Sequence, residues 1–98
     1  MVKVYWENKR IGSSNNTIVV EGNHYFPPED VDEKYLKESD HHTTCPWKGE
    51  ASYYHLKVND KINRDAAWYY PNPKEEAEKI RGYIAFYKNK VSIVDDNN

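Results

Sequence analysis

The sequence lacks the features that tie a chain to a membrane or to a disulfide framework. Cys45 is the single cysteine among 98 residues, so no internal disulfide can form. No apolar run approaches the roughly 20 residues that a membrane helix needs, and residues 1–6 alternate like a strand, unlike a signal peptide. These absences predict a soluble protein without a membrane partner, located in a reducing compartment, the cytoplasm.

An excess of charge of one sign is also missing. The chain has 14 Lys and Arg residues against 16 Asp and Glu residues, a formal net charge of -2, and its isoelectric point is about 6.1. Proteins that bind the phosphate backbone usually show a basic stripe and a high isoelectric point. We therefore expect no nucleic-acid partner.

Aliphatic residues are scarce, and aromatic residues take their place. Leu, Ile, Val and Phe together number 18, a share that by itself is typical of disordered chains. However, 14 residues are aromatic, nine of them Tyr, and each large ring can bury about 150–250 Å². We expect one domain over residues 1–98 with an aromatic core, ordered over about 2–94 and frayed at 95–98.

Short runs of β-branched and aromatic residues predict strands along most of the chain. The run at 51–58 is the clearest, because its side chains alternate between two faces. We expect a turn at 59–61 and a final hairpin over 83–94 around Asn89. The predicted strands are Val2–Trp6, 17–20, 24–26, 51–58, 65–70, 83–87 and 91–94.

Helical signals are few and short. Residues 29–37 indicate a short helix or a turn, and 38–44 a polar loop. A second helix is expected over 72–81, capped by Asn72 and ended by Gly82. One or two short helices are too few to cover a parallel sheet. The pattern therefore predicts a mainly β fold, a small single-domain antiparallel sheet or sandwich.

Four segments together resemble a known family. They are Tyr-Phe-Pro-Pro-Glu-Asp-Val at 25–31, Thr-Cys-Pro-Trp-Lys-Gly-Glu-Ala-Ser-Tyr-Tyr at 44–54, Ala-Ala-Trp-Tyr-Tyr-Pro-Asn-Pro at 66–73 and Gly-Tyr-Ile-Ala-Phe-Tyr at 82–87. In this order and spacing they resemble the domain of unknown function 427 family, over about residues 2–94. The resemblance implies a small β-rich domain similar in topology to the β-tent (Mss4-like) proteins. It brings no established activity, although the family is sometimes labelled nucleotidyltransferase.

The residues argue against a nucleotidyltransferase. That reaction needs carboxylates to hold Mg²⁺ and donors to bind the phosphates. Asp30 and Asp32 form the nearest carboxylate pair, in a charged stretch typical of solvated surface, and there is no Gly-rich phosphate loop. At 12–14 the chain has Gly-Ser-Ser, where members of the resembled family often carry Ala-Asp-Ser.

Cys45 and Lys48 are the candidate catalytic residues. A lysine three residues from a thiol favours the reactive thiolate, and His41 or His42 could serve as a base if the loop folds back. The resemblance adds that β-tent proteins include thiol-dependent sulfoxide reductases. The alternative is structural: Cys45 packs as a small hydrophobe, Trp47 fills the core and Lys48 is solvated.

No metal site or cofactor is predicted. Many β-tent proteins hold a structural zinc through paired Cys-x-x-Cys knuckles, which this chain lacks. A mixed site of His41, Cys45 and a distant His24 or His55 is conceivable, but adjacent histidines usually point in different directions.

The aromatic residues form the second candidate site. Neighbouring rings on a strand point to opposite faces, so at least one ring of 68–70 should leave the main core. Such rings either line a ligand cleft or cover the second face of a thin sheet. Lys48 and Arg64 are candidate partners for an anion. The predicted ligand-binding residues are Tyr25, Trp47, Lys48, Tyr53, Arg64, Trp68 and Tyr70.

Three hypotheses on function follow from these residues. The first is a module that binds a small flat or cationic molecule in an aromatic cleft near 45–48 and 68–70. The second is a thiol-dependent enzyme that uses Cys45 at the same site. The third is a structural or protein-interaction domain, a monomer or weak homodimer whose exposed rings mark a contact patch.

Overall fold

The computed structural model describes residues 1–96 and shows a mainly β chain, as the sequence predicts. The strands are β1 Val2–Trp6, β2 Lys9–Ser14, β3 Ile18–Val20, β4 Asn23–Tyr25, β5 Leu36–Cys45, β6 Gly49–Val58, β7 Lys61–Tyr69, β8 Ile84–Phe86 and β9 Ser92–Asp95. The helical segments are short 3-10 turns at Pro28–Asp30, Glu33–Tyr35 and Glu75–Ile80. None of the helices within residues 1–96 is long and apolar enough to cross a membrane.

The strands pair antiparallel in three sheets. The orders are β2-β1-β9, β3-β4 and β5-β6-β7-β8. An isolated bridge between Phe26 and Ile84, with backbone hydrogen bonds of 2.8 Å in both directions, places the β3-β4 hairpin next to β8. The four-stranded sheet is therefore continued by the hairpin. The antiparallel architecture is confirmed, and the likeness to the β-tent topology stays a prediction.

The four-stranded sheet has a hydrophobic core on each face. The first core, between this sheet and β2-β1-β9, contains aliphatic residues and phenylalanines such as Val4, Ile11 and Phe86. The second core lies under the β3-β4 hairpin and the 75–80 segment and combines four large aromatic rings with aliphatic residues. Its buried members are Val20, Tyr25, Ala51, Tyr53, Trp68, Tyr70, Ala77, Ile80 and Ala85. Both faces are covered because strand side chains alternate and both sets are apolar.

Alternation along β7 divides the aromatic run as predicted. Trp68 and Tyr70 belong to the second core, whereas Tyr69 packs against the first. The Tyr69 ring stacks on Tyr54 with 4.6 Å between ring centroids, while Tyr53 points into the second core. The ring that leaves one core thus enters the other.

The predicted polar loop at 38–44 is wrong, because this segment belongs to β5. β5 is an edge strand whose side chains are mostly exposed, and it pairs with β6 across an irregularity between Glu38 and His42. An edge strand exposed on both sides carries charged and polar residues on both faces. It therefore shows no apolar alternation in the sequence.

The predicted hairpin over 83–94 is also wrong. β8 pairs with β7, and β9 pairs with β1 in the other sheet. A turn closed by the Tyr87 carbonyl, which accepts from the Lys90 amide at 3.0 Å and the Val91 amide at 3.2 Å, redirects the chain. Two adjacent strand-like runs therefore belong to different layers.

The segment after Tyr70 is a 3-10 turn instead of the predicted helix over 72–81. Lys74 precedes its first residue and makes no side-chain cap, and Asn72 Oδ1 instead accepts from Arg81 Nη1 at 3.4 Å. Gly82 follows with φ of 72°, the left-handed conformation expected where a helical segment ends.

The C-terminal end is better ordered than the expected fraying at 95–98. β9 continues through Asp95, and the Asp96 amide donates to the Met1 carbonyl at 2.9 Å. Positions 97–98 of that prediction lie outside the described residues.

Candidate ligand-binding site

The turn between β5 and β6 directs Lys48 into the protein. Gly49 has φ of 109°, a conformation that glycine adopts readily and other residues rarely do. A Cβ at this position would lie 3.4 Å from the Lys74 backbone nitrogen, and the Lys74 amide donates to the Lys48 carbonyl at 2.9 Å. The turn is therefore held against the segment that follows β7.

The structural alternative placed Trp47 in the core and Lys48 in solvent, and the structure shows the reverse. Lys48 is 7% exposed, whereas Trp47 is 38% exposed. The Lys48 ammonium lies over two ring faces, 5.1 Å from the centroid of Trp47 and 5.7 Å from that of Tyr70. Cation–π contacts of this kind partly offset the cost of desolvating the charge.

Lys48 is charged because of its neighbours. Its ammonium donates a hydrogen bond to the Glu21 carboxylate. Desolvation lowers the pKa of Lys48, but the hydrogen bond to Glu21 and the nearby Tyr25 and Cys45 raise it, and the net shift is upward. The same hydrogen bond, with a smaller contribution from the Trp47 side chain, holds the pKa of Glu21 below its ordinary value. The pair is therefore an ion pair at neutral pH.

Glu21 lies in an unusual turn between β3 and β4. Glu21 and Gly22 have φ of 53° and 79°, which suits a two-residue hairpin turn that prefers Asn, Asp or Gly at its first position. Sequence reasoning missed Glu21. The signal was a Glu-Gly pair between two strand-like runs, where Asn-Gly would be expected.

Tyrosine hydroxyls line the same region. The Trp68 indole donates to the Tyr25 hydroxyl at 3.1 Å. The Tyr53 hydroxyl lies 2.9 Å from Thr43 Oγ1 and 3.1 Å from the Tyr87 hydroxyl. Burial raises the pKa of Tyr25 and of Tyr87, so both phenols stay protonated at neutral pH.

Tyr87 was also missed, although it falls in the last of the four resembling segments. Its ring centroid lies 4.5 Å from that of Trp68, and the residue is 36% exposed. Tyr87 therefore forms the solvent side of the second core, next to His41, whose ring lies 4.6 Å from that of Tyr53.

Tyr70 carries a hydroxyl without a hydrogen-bond partner among residues 1–96, although the residue is only 5% exposed. Burial raises its pKa, and the nearby Tyr25, Cys45, Tyr53 and Glu21 raise it further. Within residues 1–96 no buried side-chain nitrogen or oxygen lacks a hydrogen-bond partner, so the Tyr70 oxygen itself reaches the surface. This hydroxyl is therefore available to a ligand.

The remaining predicted residues divide between this site and the surface. Cys45 is half-buried and packs against the second core. Arg64 is not brought to the site: it is exposed. The reason is a bulge in β7 beside Arg64, at Asp65, whose φ is 50° and whose amide donates to His55 Nδ1 at 2.9 Å.

A separate cavity of about 650 Å³ lies away from this site. Its lining combines Tyr54 and Ile84 with three acidic side chains, Asp32, Glu33 and Glu38. Burial and the neighbouring Tyr69 raise the pKa of Tyr54 to about 12. Within residues 1–96, no group of three or more His, Cys, Asp or Glu side chains is placed to hold a metal ion.

The family model of the Domain of unknown function (DUF427) matches residues 1–97 of the chain. The chain belongs to this family. No curated protein matches it. The resemblance noted in the sequence is thus confirmed, and each of the four DUF427 segments contributes to the site. The contributions are Tyr25 from the first, Cys45, Trp47, Lys48 and Tyr53 from the second, Trp68 and Tyr70 from the third and Tyr87 from the fourth.

Proposed function

We propose that this chain is a small-molecule binding module whose site is the open end of the second core. One observation carries the proposal: an ammonium, a thiol and four phenol hydroxyls converge there from four separate segments. The Tyr53 and Tyr87 hydroxyls are hydrogen-bonded, and Tyr70 lies beside Tyr25 and Cys45. Binding sites typically combine apolar walls with a few converging polar groups.

The exposed rings favour a flat ligand. Trp47 and Tyr87 are exposed aromatic residues beside this core, and aromatic faces gain most from offset or edge contacts with another ring. A cationic ligand is less well supported, because the Lys48 ammonium already lies over the Trp47 and Tyr70 rings.

The direct test is thermal unfolding of the purified chain with a panel of flat aromatic and heteroaromatic compounds. A ligand at 100 times its dissociation constant adds about 2.7 kcal/mol, and each kcal/mol moves the midpoint of a domain of this size by about 4–8 °C. We expect a shift that disappears in Trp47→Ala and Tyr87→Ala. The matched control is Ile62→Ala, because Ile62 is also exposed but lies outside the site. The proposal is wrong if no compound shifts the midpoint, or if both aromatic variants keep the shift.

The position of Cys45 supports a second candidate function, a thiol-dependent enzyme. The thiol is partly accessible and lies next to a buried ammonium. An accessible free thiol is also consistent with a cytoplasmic location, which we include in the proposal. We expect iodoacetamide to alkylate Cys45 at neutral pH several-fold faster than it does in Lys48→Met. Equal rates in the two proteins would remove Lys48 as an activating group.

A further inference from the structure

The Glu21 side chain fills a place that a ligand could take. Its carboxylate is more than half exposed, yet it contacts an ammonium that is almost completely buried. Within residues 1–96, Glu21 is the only hydrogen-bond acceptor of the Lys48 ammonium. An ammonium has three donors, so two of them remain for another acceptor.

The Glu21 backbone adopts a left-handed conformation while its side chain contacts Lys48. An L-residue other than Asn, Asp or Gly is disfavoured at φ of 53°. Strained residues persist where the surrounding structure holds them, and they cluster at ligand clamps and switches. The β3-β4 turn is held by another contact as well, from Lys88 Nζ to the Gly22 carbonyl at 2.7 Å. The turn itself can therefore stay in place when the Glu21 side chain leaves Lys48.

We propose that Lys48 anchors a carboxylate group of the ligand, and that Glu21 occupies this anchor in the free protein as a displaceable internal carboxylate. The inference rests on the proposed function, because the same rings would hold the flat part of the ligand. One ammonium flanked by the Trp47 side chain and by phenols fits a singly charged carboxylate. The ligand class is therefore a flat aromatic carboxylate. Lys88 Nζ lies at the Gly22 carbonyl of the same turn, so the test below includes inorganic phosphate as the competing anion.

Because Glu21 and the ligand compete for Lys48, removing the Glu21 carboxylate should tighten binding of the ligand. With an internal ligand that must be displaced, the apparent dissociation constant is the intrinsic one divided by the fraction of molecules in which the internal ligand is released. The variant of choice is Glu21→Asn, because Asn suits the left-handed turn position. Glu21→Gln serves as a second variant that keeps the side-chain shape and removes the charge.

The experiment titrates acetate, benzoate and inorganic phosphate into each protein at constant ionic strength. The readout is the amide and Trp47 indole signals in two-dimensional NMR spectra. The proteins are the unaltered chain, the two Glu21 variants, Glu21→Asn combined with Lys48→Met, and the control Glu29→Asn. This control removes the same charge at an exposed residue that pairs with no cation among residues 1–96.

The expected result is a dissociation constant for acetate and benzoate at least about 10-fold lower in both Glu21 variants than in Glu29→Asn. The saturable shifts should vanish when Lys48→Met is added. Equal affinities in the Glu21 variants and the control would overturn the displaceable carboxylate. A gain for phosphate as large as that for acetate would overturn the carboxylate as ligand class.

The two probes separate this inference from the proposed function. Acetate tests the anchor alone, and the difference between benzoate and acetate tests the aromatic face. If both gain equally and benzoate binds no tighter than acetate, the anchor stands and the flat-ligand function fails. If benzoate binds more tightly than acetate in the unaltered chain and neither anion gains affinity in the Glu21 variants, the flat-ligand function stands and the internal carboxylate fails.

Discussion

The two faces of the four-stranded sheet are built from different kinds of side chain. The first core contains aliphatic residues and phenylalanines, which have no polar atoms to satisfy. The second core combines tyrosines and a tryptophan with aliphatic residues, and Lys48 and Cys45 lie at its edge. Buried hydroxyls and charges cost free energy unless they are paired. The first core therefore stabilises the fold, and the second accepts polar groups, on which the proposed ligand-binding role rests.

The largest expected effect is in the first core. Phe26 is completely buried and contacts Phe86 edge-to-face with 5.5 Å between ring centroids. Phe26→Ala should lower the free energy of unfolding by about 3–5 kcal/mol, because it removes a buried ring and leaves a cavity. Urea denaturation measures this change. Ile62→Ala, at an exposed position, is the control, and a loss as small as the control's would show that the first core does not dominate stability.

A smaller effect is expected where the backbone supports the second core. Gly49→Ala places a Cβ on a residue with φ of 109° and 3.4 Å from the Lys74 nitrogen. The strain should cost about 1–3 kcal/mol. The Trp47 indole signal in NMR spectra should also move, because the turn carries Trp47 and Lys48. Unchanged stability and an unchanged indole signal would mean that the turn is not held by this contact.

Two tyrosine variants make a matched pair within the second core. Tyr53→Phe removes a hydroxyl that pairs with Thr43 and Tyr87, and should cost about 0.5–1.5 kcal/mol. Tyr70→Phe removes a hydroxyl without a partner among residues 1–96, and should leave stability unchanged or slightly raised while weakening ligand binding. Equal losses of stability in the two variants would contradict a free Tyr70 hydroxyl.

The smallest expected effect is the pH dependence of the ion pair. The pKa of Glu21 is lowered in the folded state, so the folded chain binds fewer protons there than the unfolded chain does. The contribution of Glu21 to stability is therefore complete above its ordinary pKa of 4.5 and is lost as the pH falls through the lower folded value. Urea denaturation of the chain and of Glu21→Gln should show a stability difference at pH 7 that shrinks at pH 3. A difference that is constant with pH would show that the pair does not stabilise the fold.

The sequence predicts what depends on local alternation. β6 and the neighbouring turn at 59–60 follow directly from the residues, and so does the division of Trp68 and Tyr69 between two faces. β5 could not be predicted, because an exposed edge strand has no apolar face to alternate with.

Part of the candidate site could be predicted from the sequence, but Glu21 and Tyr87 were missed and Arg64 lies outside it. The rings and Lys48 were found because they stand close together in aromatic segments. The exchange of Trp47 and Lys48 depends on Glu21, which is 27 residues away in the chain. No local pattern reports a partner at that distance, so the structural alternative placed Trp47 in the core and Lys48 in solvent.

β7 is a wall that both cores share. Ala67 and Tyr69 belong to one side, and Trp68 to the other. A substitution in this wall disturbs the architecture and the site together, so the strand leaves little freedom for divergence. The connections that carry Glu21, Trp47 and Tyr87 do not contribute side chains to both cores. Under the proposed ligand-binding function, exchanging these connections would therefore change the ligand preference on an unchanged scaffold.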